Sequence, residues 1–145
     1  MLIETMTDHD ARWWDQKEVE RHLAMMAPTH LSRVNSLINQ AVINYRTVYW
    51  RTRGGQQRAE VRKNDTAGCL RTAKGGSSRQ IMIAAGKGQI KMRHMTPREY
   101  ARLQGVPDEY PIPPNTIQAL NGFGDAVCVP AIRWIAEEVL KPLMR

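Results

Sequence analysis

The sequence has few cysteines and no long apolar run, and each absence excludes a class of protein. Its 2 cysteines, Cys69 and Cys128, stand far apart, so neither a disulfide framework nor a metal site built on clustered cysteines is expected. No apolar run approaches the roughly 18 residues of a membrane-spanning helix. The first residues also lack the basic-then-apolar pattern of a secretory signal. We therefore expect a protein of the reducing cytoplasm, with no metal and no membrane partner.

Positive charge is abundant and unevenly distributed. The formal net charge is +7, and residues 45–93 hold 12 Lys and Arg against 2 Asp and Glu, whereas the rest of the chain holds 9 against 12. A basic segment in an otherwise slightly acidic chain is typical of a protein that binds a polyanion. A solvated face that keeps the protein soluble gives the same composition, so at this level both interpretations stay open.

Hydrophobic periodicity predicts an α+β fold in three parts. The parts are an N-terminal helical hairpin over residues 1–44, a small, irregular, mostly antiparallel β region over residues 45–93, and a C-terminal helical segment over residues 94–145. Residues 1–10 show no periodicity and are expected to fray. In the β region, the predicted strands are residues 45–51, 57–62, 70–72, 80–85 and 89–92.

Side chains that cap helices and prolines that end them mark the helix boundaries. Asp15 and Thr29 are expected to cap the two helices of the hairpin, which Pro28 separates. In the C-terminal segment, Asn115 is expected to cap a short helix through Leu120. The last helix is expected to follow Asp125, run through Leu140 with Pro130 in its first turn, and end at Pro142.

The most specific stretch is Thr-Pro-Arg-Glu-Tyr-Ala-Arg-Leu-Gln-Gly-Val-Pro-Asp, residues 96–108. Thr96 and Glu99 have the spacing of a capping box, and Pro97 stands at the first helical position, where a missing N–H costs nothing. Gly105 suits the left-handed residue that follows a last helical turn. The pattern predicts a helix of about two turns that carries more hydrogen-bonding side chains than a helix of the core needs.

This stretch resembles the ninth motif of the DNA cytosine-5 methyltransferases. Residues 122–130, Gly-Phe-Gly-Asp-Ala-Val-Cys-Val-Pro, are similar to the tenth motif of that family, Gly-Asn/Asp-Ala/Ser-Val-x-x-Pro, which Gly124 opens. Upstream, residues 68–78 resemble the second recognition loop of its target-recognition region. The order and spacing are those of the C-terminal part of a methyltransferase, over roughly residues 45–140.

The elements that carry the family's chemistry are missing from the sequence. The nucleophile of the family is a Cys that follows a Pro, whereas Cys69 follows Gly68 and Cys128 follows Val127. Neither the Glu-Asn-Val that contacts the cytosine ring nor the Phe-x-Gly-x-Gly of the cofactor-binding strand is present. The resemblance therefore implies the part of a methyltransferase that selects the DNA, without the part that modifies it.

Three groups of residues are candidates for the functional site. Arginines suit phosphate contacts, an Arg can read guanine, and glycines let backbone approach DNA closely. The expected DNA-binding residues are Arg46, Arg51, Arg53, Arg58, Arg71, Thr72, Lys74, Gly75, Gly76 and Ser77. Taken alone, residues 75–78 are more typical of an ordinary flexible loop than of a DNA-reading loop.

The resemblance assigns the other two groups. Ninth-motif residues are implied to be buried ion-pair and hydrogen-bond partners that position the recognition loops: Thr96, Arg98, Glu99 and Arg102. Asp125, Ala126 and Val127 are implied to line the pocket of the cofactor, S-adenosylmethionine. Asp125 stands where Asn is the uncharged alternative, so its carboxylate either repels the cofactor's own carboxylate, meets its cationic end, or caps the next helix.

The resemblance predicts the small subunit of a split DNA cytosine-5 methyltransferase. Its partners would be double-stranded DNA and a catalytic subunit that carries the Pro-Cys nucleophile and shares the cofactor, and its place would be the nucleoid. The alternative is a non-enzymatic DNA-binding or regulatory module, and a third possibility is a truncated subunit that modulates an intact methyltransferase. The apolar side of the last helix predicts marginal solubility or self-association when no partner is present.

Overall fold

The computed structural model describes residues 2–72 and 79–144, and an antiparallel sheet lies at its centre. The four strands are β1 (Asn44–Arg53), β2 (Gln56–Val61), β3 (Ile81–Gly86) and β4 (Gln89–His94). Their order is β2-β1-β3-β4, and every neighbouring pair is antiparallel. These strands lie within two residues of their predicted bounds. The strand predicted at residues 70–72 is wrong, because this segment leaves the sheet and packs against a helix.

Helices flank the sheet on both sides in the sequence, so the α+β prediction is confirmed. They are α1 (Gln16–Ala24), α2 (Pro28–Ile38), α3 (Pro97–Leu103), α4 (Thr116–Asp125) and α5 (Val129–Ile135). A π-helical segment (Ala136–Leu140) and α6 (Lys141–Leu143) continue α5 to the end of the described chain.

Each face of the sheet supports its own hydrophobic core. Along β3, alternation sends Ile81 and Ile83 to the core that α1 and α2 complete, and Met82 to the core that α3 and α4 complete. All six residues of β3 are buried. This double burial explains why its sequence is an apolar run without polar alternation.

Residues 2–15 contact the rest of the fold, so the expectation that the start of the chain frays is wrong for the described residues 2–10. The backbone N–H of Trp14 donates to the carbonyl of Met92 over 2.9 Å. The backbone N–H of Glu4 donates to the Glu99 carboxylate over 3.0 Å. These partners are distant in the sequence, and such contacts leave no local periodic signal.

Of the predicted caps of α1, α2 and α4, those of α1 and α4 are present and that of α2 is not. Asp15 caps α1 and Asn115 caps α4, each by accepting from the backbone N–H three residues later. Helix α2 begins at Pro28, with Ala27 as its N-cap, and not at Thr29. Proline at the first helical position has no N–H to satisfy, so no side-chain cap is needed for that group.

Helix α4 runs past the predicted stop at residues 121–122 and ends at Asp125. Leu120 and Phe123 are both buried in the core that α3 shares. Their burial favours continued helix over the local preference of Asn121-Gly122 for a turn, because tertiary packing outweighs weak propensities.

The segment of residues 129–143, named the C-terminal arm here, is helical but has no buried residue. Its apolar side chains face solvent, with Ile132 51%, Trp134 60% and Leu143 79% exposed. Pro142 lies inside α6 instead of ending the helix at Leu140. Proline lacks the N–H that would continue the α-helical hydrogen bonds, and the adjoining residues Ala136–Leu140 adopt the π form. Within residues 2–72 and 79–144, no helix is long and apolar enough to cross a membrane.

Candidate DNA interface and cofactor turn

Two of the candidate DNA-binding arginines lie opposite each other on the open edge of the sheet. Arg51 of β1 is in register with Arg58 of β2, and both side chains are exposed. The guanidinium of Arg51 lies 5.4 Å from the centre of the Tyr49 ring, and that of Arg62 lies 5.3 Å from the same ring. The Tyr49 hydroxyl donates to the Glu60 carboxylate over 2.9 Å, and that carboxylate lies 4.0 Å from the Arg51 guanidinium. The edge is therefore a mainly basic surface with an aromatic ring between its cations and one half-buried carboxylate, and its exposed cations suit a phosphate backbone.

Arg46 has a different environment. Its guanidinium lies 2.5 Å from the Asp65 carboxylate and also donates to the carbonyl of Tyr45 over 2.7 Å. The side chain is only 17% exposed. A phosphate could take the place of Asp65 only by breaking this ion pair, so Arg46 is less available for DNA than Arg51 or Arg58.

The base of the predicted recognition loop is held on α3 through Gln80. The backbone N–H of Gln80 donates to the Tyr100 hydroxyl over 2.9 Å, and its side-chain amide donates to the carbonyl of Cys69 over 3.4 Å. Gly68 is buried against this side chain, since a Cβ there would lie 2.9 Å from the Gln80 amide nitrogen. These contacts bring the two ends of the loop together.

The loop itself is described only in part. At its start, Arg71 is exposed and Thr72 is half-buried. Four of the candidate DNA-binding residues lie outside the described residues, namely Lys74, Gly75, Gly76 and Ser77, as does the side chain of Arg53.

The predicted capping box of α3 is present. The backbone N–H of Glu99 donates to the Thr96 hydroxyl over 3.2 Å, and the backbone N–H of Thr96 donates to the Glu99 carboxylate over 2.9 Å. Glu99 also pairs with the Arg93 guanidinium through two hydrogen bonds of 2.6 and 2.8 Å. Burial alone would raise the pKa of Glu99, but the bonds from Arg93, Thr96 and Glu4 outweigh it and hold that pKa below its usual range.

Arg98 and Arg102 hold the segment that follows α3. Arg98 donates to the carbonyls of Pro107 and Tyr110 over 3.3 and 2.9 Å, and Arg102 forms two bonds of 2.7 Å to the Asp108 carboxylate. Both arginines are half-buried. Among the described residues, the side-chain bonds of both arginines go to this segment, with one further bond of 3.4 Å from Arg102 to the carbonyl of Leu2. Of the three charged ninth-motif residues, Glu99 alone is fully buried.

The three candidate cofactor residues form an exposed turn between α4 and α5, named the cofactor turn here. Asp125 is the last residue of α4, Ala126 ends that helix, and Val127 is 62% exposed. Asp125 therefore does not cap the following helix, whose N-cap is Cys128 without a side-chain bond. This corrects the third of the roles considered for Asp125.

Gln104 fixes the cofactor turn and was not among the candidate residues. Its side-chain amide donates to the carbonyls of Phe123 and Ala126, over 2.8 and 2.9 Å. One feature of the sequence does point to Gln104. It stands in the ninth motif, directly before Gly105, in a helix with more polar side chains than a core helix needs. Arg93 was also missed, because nothing in a strand pattern marks a buried Arg that pairs with a later helix.

An open cavity of about 610 Å³ adjoins the cofactor turn and is lined by Gln104, Val106, Tyr110, Phe123, Ala126 and Val127, among others. Apolar and aromatic walls with a few polar groups are typical of sites for small organic ligands. The cavity beside the turn therefore has the lining of a site for a small organic ligand. Among the residues that the structure describes, no group of His, Cys, Asp and Glu could hold a metal ion.

The family model for C-5 cytosine-specific DNA methylases matches residues 2–141. The chain belongs to this family. It is 32% identical to the Type II methyltransferase M.SsoII of Shigella sonnei over 151 aligned positions, which cover 90% of this chain and 38% of that protein. Shorter matches include the Type II methyltransferases M.HpaII of Haemophilus parainfluenzae and M.NlaX of Neisseria lactamica. M.HpaII is 47% identical over 39% of this chain and 17% of its own length, and M.NlaX is 55% identical over 32% and 15%.

The aligned part of this C-5 methylase chain spans 38% or less of each of these three relatives. No solved structure matches the chain significantly.

Proposed function

We propose that this chain supplies the DNA-recognition region and the cofactor turn of a DNA cytosine-5 methyltransferase whose nucleophile lies on a separate polypeptide. The observation that carries the proposal is the family match over residues 2–141 in a sequence without a Pro-Cys pair. A methylase of this family attacks through a cysteine, and neither Cys69 nor Cys128 stands in the matching context. The nucleophile must therefore come from outside these 145 residues.

In this proposal the chain binds duplex DNA at the sheet edge and reads sequence with its recognition loop. Arg51 and Arg58 contact phosphates, which gives affinity without sequence information. Arg71 and Thr72, with Lys74, Gly75, Gly76 and Ser77, contact bases in the major groove. Arg can bond guanine O6 and N7 together, and Thr can bond a base edge or touch the thymine methyl.

The cofactor turn closes the pocket that the partner provides. When bound, S-adenosylmethionine supplies the methyl group that is transferred to C5 of a cytosine turned out of the duplex. The partner's cysteine attacks C6, and its later departure accompanies loss of the C5 proton. In this chain, Asp125, Ala126 and Val127 border the cofactor, and Gln104 holds their turn in place.

The C-terminal arm is the surface proposed to bind the catalytic subunit. Exposed Ile132, Trp134 and Leu143 form more apolar surface than a helix in water usually shows. The partner proposed here has a cofactor-binding α/β domain, whose open face can cover the arm. Assembly would bury these side chains and would place the cofactor turn, directly before the arm, at the partner's cofactor site.

Reconstitution tests the proposal. The chain is mixed with a candidate polypeptide that carries Pro-Cys and Phe-x-Gly-x-Gly, and transfer of labelled methyl groups to unmethylated DNA is measured. Transfer is expected only when both chains are present, and a Cys→Ser change in the partner's Pro-Cys should abolish it. Methyl transfer by this chain alone, or no association with such a polypeptide, contradicts the proposal.

A second candidate function, a DNA-binding module without enzymatic activity, is favoured by the exposed arginines of the sheet edge. It predicts salt-dependent duplex binding by the isolated chain, unaffected by S-adenosylmethionine or by any partner. The exposed cofactor turn argues for the split enzyme, since a module that only binds DNA has no use for it.

A further inference from the structure

The start of the recognition loop touches the last turn of α4, backbone to backbone, at Gly124, the residue directly before the cofactor turn. A Cβ on Gly124 would lie 2.7 Å from the backbone nitrogen of Thr72 and nearer still to the carbonyl group of Arg71. Real Cβ atoms do not approach backbone atoms so closely, so the contact needs a glycine. Gly124 is not among the glycines with positive φ. Space, and not backbone conformation, therefore excludes a side chain here.

The cofactor turn is held from the other side by Gln104. Its amide group donates to the carbonyls of Phe123 and Ala126, the two residues that flank Gly124 and Asp125. Its own backbone carbonyl accepts from the N–H of Val129 over 3.0 Å. The side chain is 7% exposed, and both of its amide hydrogens are used, which fixes its rotamer. The cofactor turn is thus fastened to α3 on one side and to the loop on the other.

We infer that Gly124 is a positioning residue that couples the choice of DNA sequence to cofactor binding. The inference rests on the proposed function, in which Arg71 and Thr72 begin the DNA-reading loop and Asp125 to Val127 border the cofactor. The bonds from Gln104 keep the cofactor turn from moving independently of α3. A shift of Arg71 and Thr72 therefore displaces the residues that border the cofactor, and a shift of those residues displaces the start of the loop. Two sites linked in this way affect each other reciprocally.

The test uses the full chain assembled with its catalytic partner. The KM for tritium-labelled S-adenosylmethionine is measured, and modified positions on unmethylated phage DNA are mapped by bisulfite sequencing. In Gly124→Ala, the added methyl must displace backbone, because no flexible side chain is among its nearest neighbours. We expect the KM to rise and the preference for the recognised sequence to fall together, each by about tenfold, within the usual range of coupling between sites.

Gly122→Ala is the matched control. It adds the same methyl to the same helix, two residues earlier, where no atom outside its chain neighbours and its own helix lies within 4 Å. Gly122 borders the cavity beside the cofactor turn but does not contact the loop. The preference for the recognised sequence is therefore expected to stay within about twofold of the wild-type value, below the usual range of coupling, even where the added methyl changes the KM.

Three results would overturn the inference. The first is a wild-type KM and a wild-type sequence preference in Gly124→Ala. The second is a change in only one of these two quantities in Gly124→Ala. The third is an equal loss of sequence preference in Gly122→Ala. Failure of the proposed function can be told apart from failure of this inference, because the wild-type assembly would then show no methyl transfer. In that case the inference is rejected as well.

Gln104→Glu keeps the inference testable if Gly124→Ala folds poorly. It preserves the shape of the side chain but turns oxygens toward the two carbonyls that the amide had bonded. We expect the same joint change in KM and in site preference, with a folded far-ultraviolet circular dichroism spectrum. If both variants lose the fold, Gly124 and Gln104 are structural residues of the core and the positioning role is rejected.

Discussion

Arg93 and Glu99 form an ion pair closed off from solvent, with side chains 1% and 0% exposed. The pair joins β4 to the first turn of α3, and the backbone N–H groups of Thr96 and Glu4 occupy the remaining capacity of the carboxylate. The partners of the Glu99 carboxylate come from the N-terminal segment, from β4 and from the start of α3. The packing of these three parts therefore depends on this one carboxylate.

Removal of the Glu99 charge is expected to be strongly destabilising. Glu99→Gln leaves the Arg93 guanidinium buried without a counter-ion, which typically costs about 3 to 5 kcal/mol in the free energy of unfolding. Urea unfolding followed by circular dichroism measures the loss. Asp108→Asn is the control, since it breaks the exposed pair with Arg102 and should leave stability nearly unchanged. Equal losses in both variants would contradict the role of burial.

His94 is expected to make stability depend on pH between about 6.5 and 4. Burial first, and then the positive charges of Arg79 and His22, lower its pKa from 6.5 to about 4, with Glu18 acting weakly in the opposite direction. Between these two values, His94 binds a proton in the unfolded chain but stays neutral in the folded chain. The free energy of unfolding therefore falls as pH drops through this window, by on the order of 2 kcal/mol.

Urea unfolding at pH 7.5, 5.5 and 4.5 measures this dependence. His94→Gln should flatten it without removing it, because burial also lowers the pKa of His22. An unchanged slope in the variant would show that His94 is not the titrating group. Glu99 acts at lower pH: its pKa is depressed, so its contribution is complete above its unfolded value of 4.5 and is lost as pH falls further.

The exposed pair Arg51 and Arg58 is expected to contribute to the salt dependence of DNA binding. Replacement of both by Gln should reduce the slope of log K against log salt concentration by about 1 to 2, since each phosphate contact contributes about 0.9. Fluorescence anisotropy with a labelled duplex at several salt concentrations measures the slope. Lys17→Gln, an exposed cation on α1, should leave it unchanged. A loss of affinity with an unchanged slope would argue against phosphate contacts.

Asp125→Asn is expected to lower the KM for S-adenosylmethionine in the assembled enzyme. Asp125 lies at the C-terminal end of α4, where the helix dipole is already negative, and the cofactor brings a carboxylate of its own. Relief of a repulsion of about 1 kcal/mol corresponds to roughly fivefold. A rise in KM would instead place Asp125 beside the cationic end of the cofactor.

Trp134 of the C-terminal arm is expected to be important for assembly and unimportant for folding. Its side chain is 60% exposed, so Trp134→Ser should leave the melting temperature of the isolated chain unchanged. It should also reduce self-association and weaken binding of the catalytic partner by about 2 kcal/mol, a typical value for an aromatic anchor. Sedimentation velocity measures both, with Glu137→Gln as the exposed control on the same arm. Wild-type association in Trp134→Ser would exclude the arm as the partner surface.

Features that depend on near neighbours in the chain were predictable. The caps of α1, α3 and α4 involve side chains three residues from their partners, and the strands carry β-branched and aromatic residues between turn signals. Predictions failed where a distant contact outweighed the local pattern. The first residues are held by bonds from Glu4 to Glu99 and from Lys91 to Asp8, and α4 continues through Asn121-Gly122 because Phe123 is buried.

By itself, the amino-acid sequence determined the family, the α+β class and the missing nucleophile, because motifs and periodicity are written in consecutive residues. Only the tertiary structure decided which groups meet. It paired Arg93 with Glu99, assigned Arg98 and Arg102 to the segment after α3, and brought Thr72 against Gly124. Such contacts depend on how strands and helices cross in space, and a pattern along the chain carries no information on that crossing.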